Sequence, residues 1–472
     1  MFSIRWPAID RRSLLIGSAS LAAAAALSRG SSYGATASPA KEFTLTAAPG
    51  RVSLVGQPYP DTDVWSYNAG VPGPELRVRQ GERLRIQVEN QLTQATTVHW
   101  HGVRVPNAMD GVPFLTQNPI APGEKFVYEF DVPDAGTYWY HPHHHSPEQV
   151  GRGLSGALIV EEIDPLVVDR DIVWVLGDWR LARNASIVND FGNRMEVTMA
   201  GRIGNTVTIN GRVPETISVR SGERLRLRLI NAAPARIFAL EFKNHQPLIV
   251  ALDGQPVDPH EPPKGRVVLG PAMRADLVLD MIGQPGAASP VVDRFYSDLN
   301  YNLVGLAYSD EPPIRTAPLD PPSRMRANTM PEPDLDKAER HAVTLEGGMM
   351  SGRGMMMGMM GGHGMGWSIN GVAASGHDMA PMITLSRGSS CILVIRNETA
   401  WHHPIHLHGH SFRVFTRNGK PTRDREWLDT VLIPPRETAE IAFVAANPGD
   451  WMFHCHILDH QDGGMMDVIR VA

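Results

Sequence analysis

The 472-residue sequence has little cysteine, no excess of basic charge and no apolar run long enough to cross a bilayer. Its two cysteines cannot form the disulfide framework that stabilises small secreted domains. Its 44 Lys and Arg against 50 Asp and Glu give a net charge of −6, which argues against nucleic acid as a partner. The longest apolar stretch ends at Leu27 and has about 14 residues, fewer than the ~20 that span a membrane. We therefore expect no membrane span in the mature chain.

The first 37 residues have the features of a twin-arginine export signal. Arg11 and Arg12 precede the Ala-rich apolar stretch, and Ala35-Thr36-Ala37 offers the small residues of a cleavage site. A short membrane anchor is the alternative, and the length of the apolar stretch argues against it. We predict a periplasmic protein of bacterial origin and expect it to act as a monomer.

Histidines that stand two residues apart occur in four places. Successive side chains of a strand point to opposite faces, so histidines at i and i+2 present both rings to one side. Cys455 lies between two such histidines and therefore points the other way, and His403 shares its parity. The paired histidines are His99, His101, His141, His143, His406, His408, His454 and His456.

Two metal centres on opposite faces of one strand account for this pattern. Cys455, with His403, His460 and Met465 as a weak axial ligand, matches the trigonal ligand set of a blue-copper electron-transfer site. Met466, the next residue, is the alternative axial ligand. The eight paired histidines would form an imidazole-only cluster on the other face, so an electron at the thiolate has only the backbone to cross.

The four motifs resemble those of the multicopper oxidase family, and most closely those of bacterial copper efflux oxidases, from about Lys41 to the C-terminus. The resemblance implies four copper ions, one-electron oxidation of a substrate and four-electron reduction of O₂ to water. It also makes Cys455 and its two neighbours the electron bridge. By resemblance, His403, Cys455, His460 and Met465 hold the type 1 copper, His99 and His406 the type 2 copper, and His101, His141, His143, His408, His454 and His456 the type 3 pair.

The resemblance also bears on proton delivery. Asp110 matches the acidic residue that the family places near the type 2 copper, although Asp-Gly is also a common turn. Where copper efflux oxidases tend to carry Glu just after the second type 1 histidine, this chain has Gln461, which cannot transfer a proton. We therefore predict a proton role for Asp110 and none for Gln461.

Three segments share one frame, in which a glycine is followed nine residues later by an asparagine that ends a strand. The pairs are Gly81 and Asn90, Gly222 and Asn231, and Gly388 and Asn397. This repeat, with alternating polar and apolar runs, 44 Gly and 38 Pro, predicts an all-β protein of three Greek-key sandwich domains. The family resemblance identifies them as cupredoxin-like.

The repeat also predicts which domains hold metal. Nine residues past the asparagine lie His99 in the first copy and His406 in the third, but Leu240 in the middle copy. The middle domain should therefore hold no copper and act as a spacer. Cys391 falls where the other copies have leucine, so we predict a small buried apolar residue rather than a disulfide partner of Cys455.

Breaks in the pattern give the domain limits. We predict a first domain at 38–163, a middle domain at 164–310, a Pro-rich linker at 311–340, and a third domain at 341–472 with a methionine-rich insertion at 349–365.

The insertion separates its methionines with glycines. Thioethers suit Cu(I), a soft ion, so we predict that the insertion recruits substrate Cu(I). A flexible low-complexity loop without ligands is the alternative. Its eight methionines are Met349, Met350, Met355, Met356, Met357, Met359, Met360 and Met365.

These features together predict a cuprous oxidase whose substrate enters at the surface of the third domain. The alternatives are a general laccase acting on phenols and aromatic amines, and a non-catalytic structural member of the family, which would lack the histidines. Copper efflux oxidases tend to supply an Asp and a Met to substrate Cu(I) just before the first type 1 histidine. This chain has Thr399 and Trp401 there, so substrate Cu(I) is expected to bind differently, or the enzyme is a laccase.

Overall fold

The computed structural model describes residues 40–317, 319–349, 366–374 and 380–472. In these ranges the regular secondary structure is mainly strand, and the strands form six sheets. The sheets pack in pairs around three apolar cores, so the predicted all-β fold of three sandwiches is confirmed. The predicted export signal and all but the first residue of the methionine-rich insertion lie outside the described residues. Within the described ranges, the helices lack the length and apolarity needed to cross a membrane.

The first sandwich contains eight strands. Its outer sheet has the strand order β2-β1-β4-β6 and its inner sheet the order β3-β8-β7-β5. The elements are β1 (Lys41–Val52), β2 (Thr62–Tyr67), β3 (Leu76–Arg79), β4 (Arg83–Asn90), β5 (His99–His101), a 3₁₀ turn (Asn107–Met109), β6 (Lys125–Asp131), β7 (Gly136–His141), α1 (Ser146–Gly151) and β8 (Gly156–Glu161).

The middle sandwich has eleven strands, in sheets ordered β10-β9-β12-β17-β14-β15 and β11-β19-β18-β13-β16. Its elements are β9 (Arg170–Trp179), α2 (Arg194–Thr198), β10 (Thr206–Ile209), β11 (Thr216–Val219), β12 (Arg224–Asn231), β13 (Phe238–Phe242), β14 (Leu248–Leu252), β15 (Gln255–His260), a 3₁₀ turn (Pro263–Gly265), β16 (Val267–Leu269), β17 (Arg274–Asp280), β18 (Ala288–Asp293) and β19 (Tyr301–Tyr308).

The third sandwich has the sheet order β21-β20-β23-β29-β25-β26, with β27 also on β25, and the order β22-β31-β30-β24-β28. Its elements are β20 (Glu339–Gly347), β21 (Trp367–Ile369), β22 (Ile383–Leu385), β23 (Ser390–Asn397), β24 (His403–Leu407), β25 (Phe412–Arg417), β26 (Lys420–Pro421), β27 (Trp427–Leu428), β28 (Thr430–Ile433), β29 (Thr438–Val444), β30 (Gly449–Cys455), α3 (Leu458–Asp462) and β31 (Met466–Val471).

The three sandwiches repeat one topology around the strands β4, β12 and β23. Each of these pairs in parallel with the strand that opens its sandwich, and each follows a glycine with a positive φ, at Gly81, Gly222 and Gly388. Each also ends in an asparagine whose amide donates to the backbone carbonyl four or five residues on, at Gln94, Arg236 and Trp401. The asparagine therefore fixes the turn that leads to the next strand in every copy.

The middle copy carries apolar side chains at the positions that hold histidines in the other two. Leu240 and Phe242 lie on β13 and are buried in the apolar core of the middle sandwich. Its two histidines make ordinary contacts: His245 bonds to the Tyr308 hydroxyl at 2.6 Å, and His260 bonds to the carbonyl of Asp258. His245 is buried in the loop that joins β13 and β14.

Candidate metal centres

Four strands bring the paired histidines together at the junction of the first and third sandwiches. In the first inner sheet, β5 and β7 place His99 opposite His141. In the third, β24 and β30 place His406 opposite His454, with Ile405 opposite Cys455. Because side chains alternate along each strand, the histidines of both sheets face the junction, while Cys455 points into the third sandwich.

All eight paired histidines lie in one cluster and are almost fully buried. Three groups have candidate ligand atoms that all lie within 4.8 Å of one another: His101, His141 and His456; His143, His408 and His454; and His99, His101 and His406. The first two groups and the remaining pair, His99 and His406, match the type 3 and type 2 sets that the resemblance implies.

Several ring nitrogens of this cluster are free to bind a metal ion. Buried ring nitrogens without any hydrogen-bond partner include Nε2 of His99, His143 and His406 and Nδ1 of His101. Two further pairs of Nε2 atoms face each other, His408 with His454 at 3.1 Å and His456 with His141 at 3.3 Å. Nitrogens bound to one metal at ~2.0 Å in tetrahedral geometry lie about 3.3 Å apart. The donor set therefore fits metal ions bound by imidazole.

Apart from His456, whose Nδ1 has no hydrogen-bond partner, these rings are also held through their other nitrogen. His141 and His454 bond through Nδ1 to the carbonyls of Pro142 and Cys455, at 3.0 and 2.9 Å. Burial holds the pKa of both rings well below the usual range of histidine. Rings kept neutral retain the lone pairs that metal binding requires.

The second centre lies on the other face of β30, inside the third sandwich. Sγ of Cys455 is 3.4 Å from Nδ1 of His403 and 3.7 Å from Nδ1 of His460, and the two nitrogens are 3.2 Å apart. Such a triangle of one sulfur and two nitrogens suits one trigonally bound ion. Met465 is fully buried in the same core, whereas Met466 is only half-buried, which favours Met465 as the axial residue.

The two cysteines have different surroundings. Both are free and fully buried, and burial raises the pKa of each thiol, that of Cys391 to about 12. Cys391 packs in the apolar core of the third sandwich, as predicted. Cys455 differs in facing two imidazoles, and a bound metal ion would deprotonate it.

The comparison with known proteins agrees with this geometry. Family models described as multicopper oxidase match residues 50–164, 170–286 and 353–472, more than half of the chain. The chain belongs to the multicopper oxidase family. Membership implies copper and an oxidoreductase activity, and the imidazole and thiolate clusters fit copper.

Relatives of this multicopper oxidase differ in what they are described as doing. A multicopper oxidase from Pseudomonas thermotolerans has 35% identity and a TM-score of 0.81, over 92% of this chain and 99% of that one. One from Campylobacter jejuni, described as a metallo-oxidase, has 28% identity and a TM-score of 0.77 over 91% of both chains. A laccase-like one from Ochrobactrum, described as active towards lignin model compounds, has 27% identity and a TM-score of 0.78 over 91% of this chain and 97% of that one. Copper resistance protein A of Escherichia coli has 26% identity over 91% of this chain and 92% of its own length.

Asp110 lies beside the histidine cluster of the oxidase and is fully buried. Its Oδ2 is 2.8 Å from Nδ1 of His408, and its Oδ1 is 3.3 Å from Nδ1 of His99. Its backbone carbonyl is 2.7 Å from the same nitrogen of His99. Asp110 therefore orients one ring of each outer domain, and its proton role stays a prediction.

Sequence reasoning missed a second carboxylate, Asp429. Its Oδ1 lies 3.1 Å from Nε2 of His101, and its carbonyl lies 2.8 Å from Nδ1 of His406. This contact explains why His101 has Nδ1, rather than Nε2, open towards the cluster. An acidic residue in the mostly apolar run from Leu428 to Ile433 was a signal in the sequence.

Asp429 is in turn held by the middle domain. Arg274, fully buried on β17, donates to both carboxylate oxygens, at 2.8 and 2.5 Å. Burial alone would raise the pKa of Asp429, but the charge of Arg274 lowers it overall. Asp253, beside Arg274, accepts from the backbone N–H of Thr430 at 3.1 Å, and burial raises its pKa to about 7.

Three further residues, Thr399, Gln461 and Trp367, contact histidines of the two centres. Thr399 is fully buried, and its hydroxyl lies 2.8 Å from Nε2 of His403, so it supports this histidine rather than facing a substrate. The Gln461 amide nitrogen is 3.5 Å from Nδ1 of His143. Trp367, which the sequence did not single out, packs on His460 with ring centres 4.1 Å apart.

Backbone of the middle domain at Met199 covers the second centre. Nε2 of His460 donates to the carbonyl of Met199, in the middle domain, at 2.7 Å. Middle-domain backbone therefore covers this ligand together with the third domain, and the entry surface of the substrate stays a prediction.

Proposed function

We propose that this multicopper oxidase holds four copper ions, oxidises Cu(I) to Cu(II) in the periplasm and couples that oxidation to the reduction of O₂ to water. In this proposal Cys455, His403, His460 and Met465 hold the type 1 ion. The eight paired histidines hold the type 2 ion and the type 3 pair, in the groups described above. When bound, the coppers take up electrons one at a time and pass four of them to O₂.

The observation that carries the Cu(I) assignment is the position of the two ends of the methionine-rich insertion. The backbone N–H of Met349 donates to the carbonyl of Thr198 at 2.9 Å. The indole N–H of Trp367 donates to the carbonyl of Val197 at 2.5 Å. Both carbonyls belong to α2, which lies next to Met199 over His460. The methionine-rich insertion therefore leaves and rejoins the fold beside the type 1 site, which is where soft ligands for Cu(I) would be needed.

The burial of the type 1 histidines also supports a small reductant. His403 and His460 are both fully buried, and their Nε2 atoms are engaged by Thr399 and by Met199. A phenol cannot touch either ring in this arrangement. A metal ion bound at the surface next to Met199 can pass its electron to His460 through the hydrogen bond between these two residues.

Residues of the chain itself would carry electrons between the centres, hold a proton and exclude water. The Cys455 backbone joins the thiolate to two cluster histidines, because His454 and His456 are its neighbours on either side. Asp110, 2.8 Å from His408, is placed to hold a proton needed for water formation. The burial of all eight histidines keeps bulk water away from the cluster.

A laccase is the second candidate. The Ochrobactrum relative, at 27% identity, is described as acting on lignin model compounds and lignosulfonate. In a laccase the methionine-rich insertion would only restrict access, and phenols would be the physiological reductants.

Oxygen uptake by the copper-loaded enzyme separates the two candidates. Uptake is measured with Cu(I) and with a small phenol, for the natural chain and for a variant whose methionines between 350 and 365 are all leucine. We expect Cu(I)-driven uptake to fall in the variant and phenol-driven uptake to hold or rise. This length-matched variant leaves the anchors at Met349 and Trp367 in place. Phenol oxidation without Cu(I) oxidation in the natural chain would favour the laccase, and unchanged Cu(I) oxidation in the variant would rule out recruitment by the insertion.

A further inference from the structure

The middle domain closes the type 1 site with backbone atoms. Besides the bond from His460 to the carbonyl of Met199, the N–H of Arg202 donates to the carboxylate of Asp459 at 2.8 Å. The N–H of Leu458 donates to the carbonyl of Pro234 at 3.0 Å. The segment that follows α2 is therefore fixed against α3, which carries His460.

An open surface cavity of about 390 Å³ lies on the outer side of this cover. Met195 and Met199 both line it, and Met195 is 54% exposed. Met199, whose carbonyl accepts from His460 on the inside, therefore also lines a cavity on the outside. Neither methionine belongs to the methionine-rich insertion.

The polar groups of the cavity already have partners. The Glu196 carboxylate forms ion pairs with Arg180 and Arg202, and the Asn193 side chain accepts from the backbone N–H of Met195. Hard cations such as Mg²⁺ or Ca²⁺ prefer several carboxylate or carbonyl oxygens. The two thioethers are soft ligands and suit a soft monovalent ion such as Cu(I).

We propose that Met195 and Met199 form the docking site for substrate Cu(I), so that the middle domain, which holds no resident copper, supplies the substrate contact. This inference rests on the proposed cuprous oxidase function and adds to it the place of the substrate. The bound Cu(I) gives up one electron and leaves as Cu(II). Four such events, with four protons and one O₂ as the final oxidant, give two molecules of water and four Cu(II).

The route from this site to the type 1 centre is short. It runs from the Met199 side chain through its own backbone to the carbonyl, and then across the 2.7 Å hydrogen bond to His460. Oxidation also favours release, because Cu(II) prefers nitrogen and oxygen ligands over thioethers. A thioether site directly over His460 thus binds Cu(I) and releases Cu(II).

The test compares the copper-loaded natural enzyme with Met195→Leu and with the double variant Met195→Leu/Met199→Leu. Leucine keeps similar volume and leaves the carbonyl of residue 199 in place. We expect the KM for Cu(I) to rise about tenfold or more in the double variant, and the blue absorption reports whether its type 1 site is intact. Met330→Leu is the matched control, because Met330 is half-buried and lines a different cavity, between the first and third domains.

Binding is measured separately from turnover, with Ag(I) as a soft monovalent probe that the enzyme cannot oxidise. Calorimetric titration of the copper-loaded enzyme should show one Ag(I) fewer per chain in the double variant than in the natural enzyme or in Met330→Leu. Met195→Leu alone changes an exposed side chain and should still raise the KM for Cu(I), which keeps the test valid if the double variant misfolds.

The outcomes distinguish this inference from the proposed function. An unchanged KM for Cu(I) in Met195→Leu, or an unchanged Ag(I) count in a correctly folded double variant, would overturn the docking site and leave the cuprous oxidase intact. Absence of Cu(I)-driven oxygen uptake by the natural enzyme would overturn both proposals. A raised KM together with the lost Ag(I) site supports the docking site.

Discussion

The middle sandwich and the two outer sandwiches share one topology but divide the work at the metal centres. The outer copies place histidines on β5 and β24, whereas the middle copy places Leu240 and Phe242 on the equivalent β13. The middle copy nevertheless contacts both centres. Arg274 donates two hydrogen bonds to Asp429 behind the histidine cluster, and the Met199 carbonyl accepts a hydrogen bond from His460. A domain without histidines at these positions can therefore still orient ligands, which adds to its predicted role as a spacer that positions the outer two domains.

The ion pairs of the middle domain show how closely it is joined to its neighbours. Arg226 and Arg228 on β12 are almost fully buried and share the carboxylate of Asp276. Arg228 also donates to the Thr137 hydroxyl of the first domain at 3.0 Å. Buried charges are costly to separate from their partners, so these contacts hold the domains in one arrangement.

The largest effect is expected for Cys455→Ser, which removes the thiolate that distinguishes β30 of the third domain from β7 of the first. We expect the blue absorption and the oxidase activity to disappear, and copper content to fall by about one ion per chain. The eight histidines should keep their copper, because they face the opposite side of the strand. Visible absorption and metal analysis measure this. Cys391→Ala, at the other buried cysteine of the same domain, should keep both colour and activity, and a blue Cys455→Ser protein would contradict the assignment.

The next largest effect should come from the middle domain, through Arg274→Met. The buried Asp429 would lose its partner, which costs about 3–5 kcal/mol of stability. Because Asp429 orients His101 and His406, copper affinity at these histidines should also fall by about 10–100-fold. Thermal unfolding, copper content and the electron paramagnetic resonance of the type 2 copper report these changes, while the blue absorption serves as the internal control.

Arg274→Lys separates charge from geometry in the same position. Lysine retains the positive charge but cannot form the two parallel bonds that Arg274 makes to Asp429, so its losses should be intermediate. Wild-type unfolding temperature and copper content in Arg274→Met would show that the middle domain is only a spacer.

A smaller effect is expected at Asp110, which joins the two outer domains. Asp110→Asn keeps the shape and can still accept from Nδ1 of His408, but it cannot exchange a proton. We expect kcat to fall about 10²-fold with copper content unchanged, measured by oxygen uptake and metal analysis. Gln461→Leu, near His143, should leave kcat close to the natural value because Gln461 carries no ionisable proton. Full activity in Asp110→Asn would reduce this residue to an orienting role.

The sequence predicted the fold and the grouping of histidines because both depend on local geometry. Alternation along a strand separates His454 and His456 from Cys455, and the repeated glycine and asparagine locate His99 and His406. These relations involve residues close in sequence. They need no knowledge of how the domains pack.

The residues that hold the ligand side chains in place could not be predicted in the same way, because they depend on contacts between domains. Arg274 and Asp429 are 155 residues apart, and Met199 and His460 are 261 residues apart. The Met199 contact is made by a backbone carbonyl, so no side chain at that position reveals it. The alternation of arginine and leucine on β12 predicts a half-exposed strand, yet every residue of that strand is buried.

The smallest predicted effect uses the sequence that β4 and β12 have in common. Gly-Glu-Arg-Leu-Arg opens both strands, but its last arginine is 40% exposed on β4, as Arg85, and 2% exposed on β12, as Arg226. Arg85 pairs with Glu42 and Glu129 in solvent, so Arg85→Ala should change the unfolding temperature little, and less at high salt. Arg226→Ala, which would leave the buried Asp276 with one partner fewer, should lower the unfolding temperature clearly more. Equal shifts in the two variants would mean that the buried ion pairs of the middle domain add no more to stability than exposed ones, and that its docking rests on other contacts.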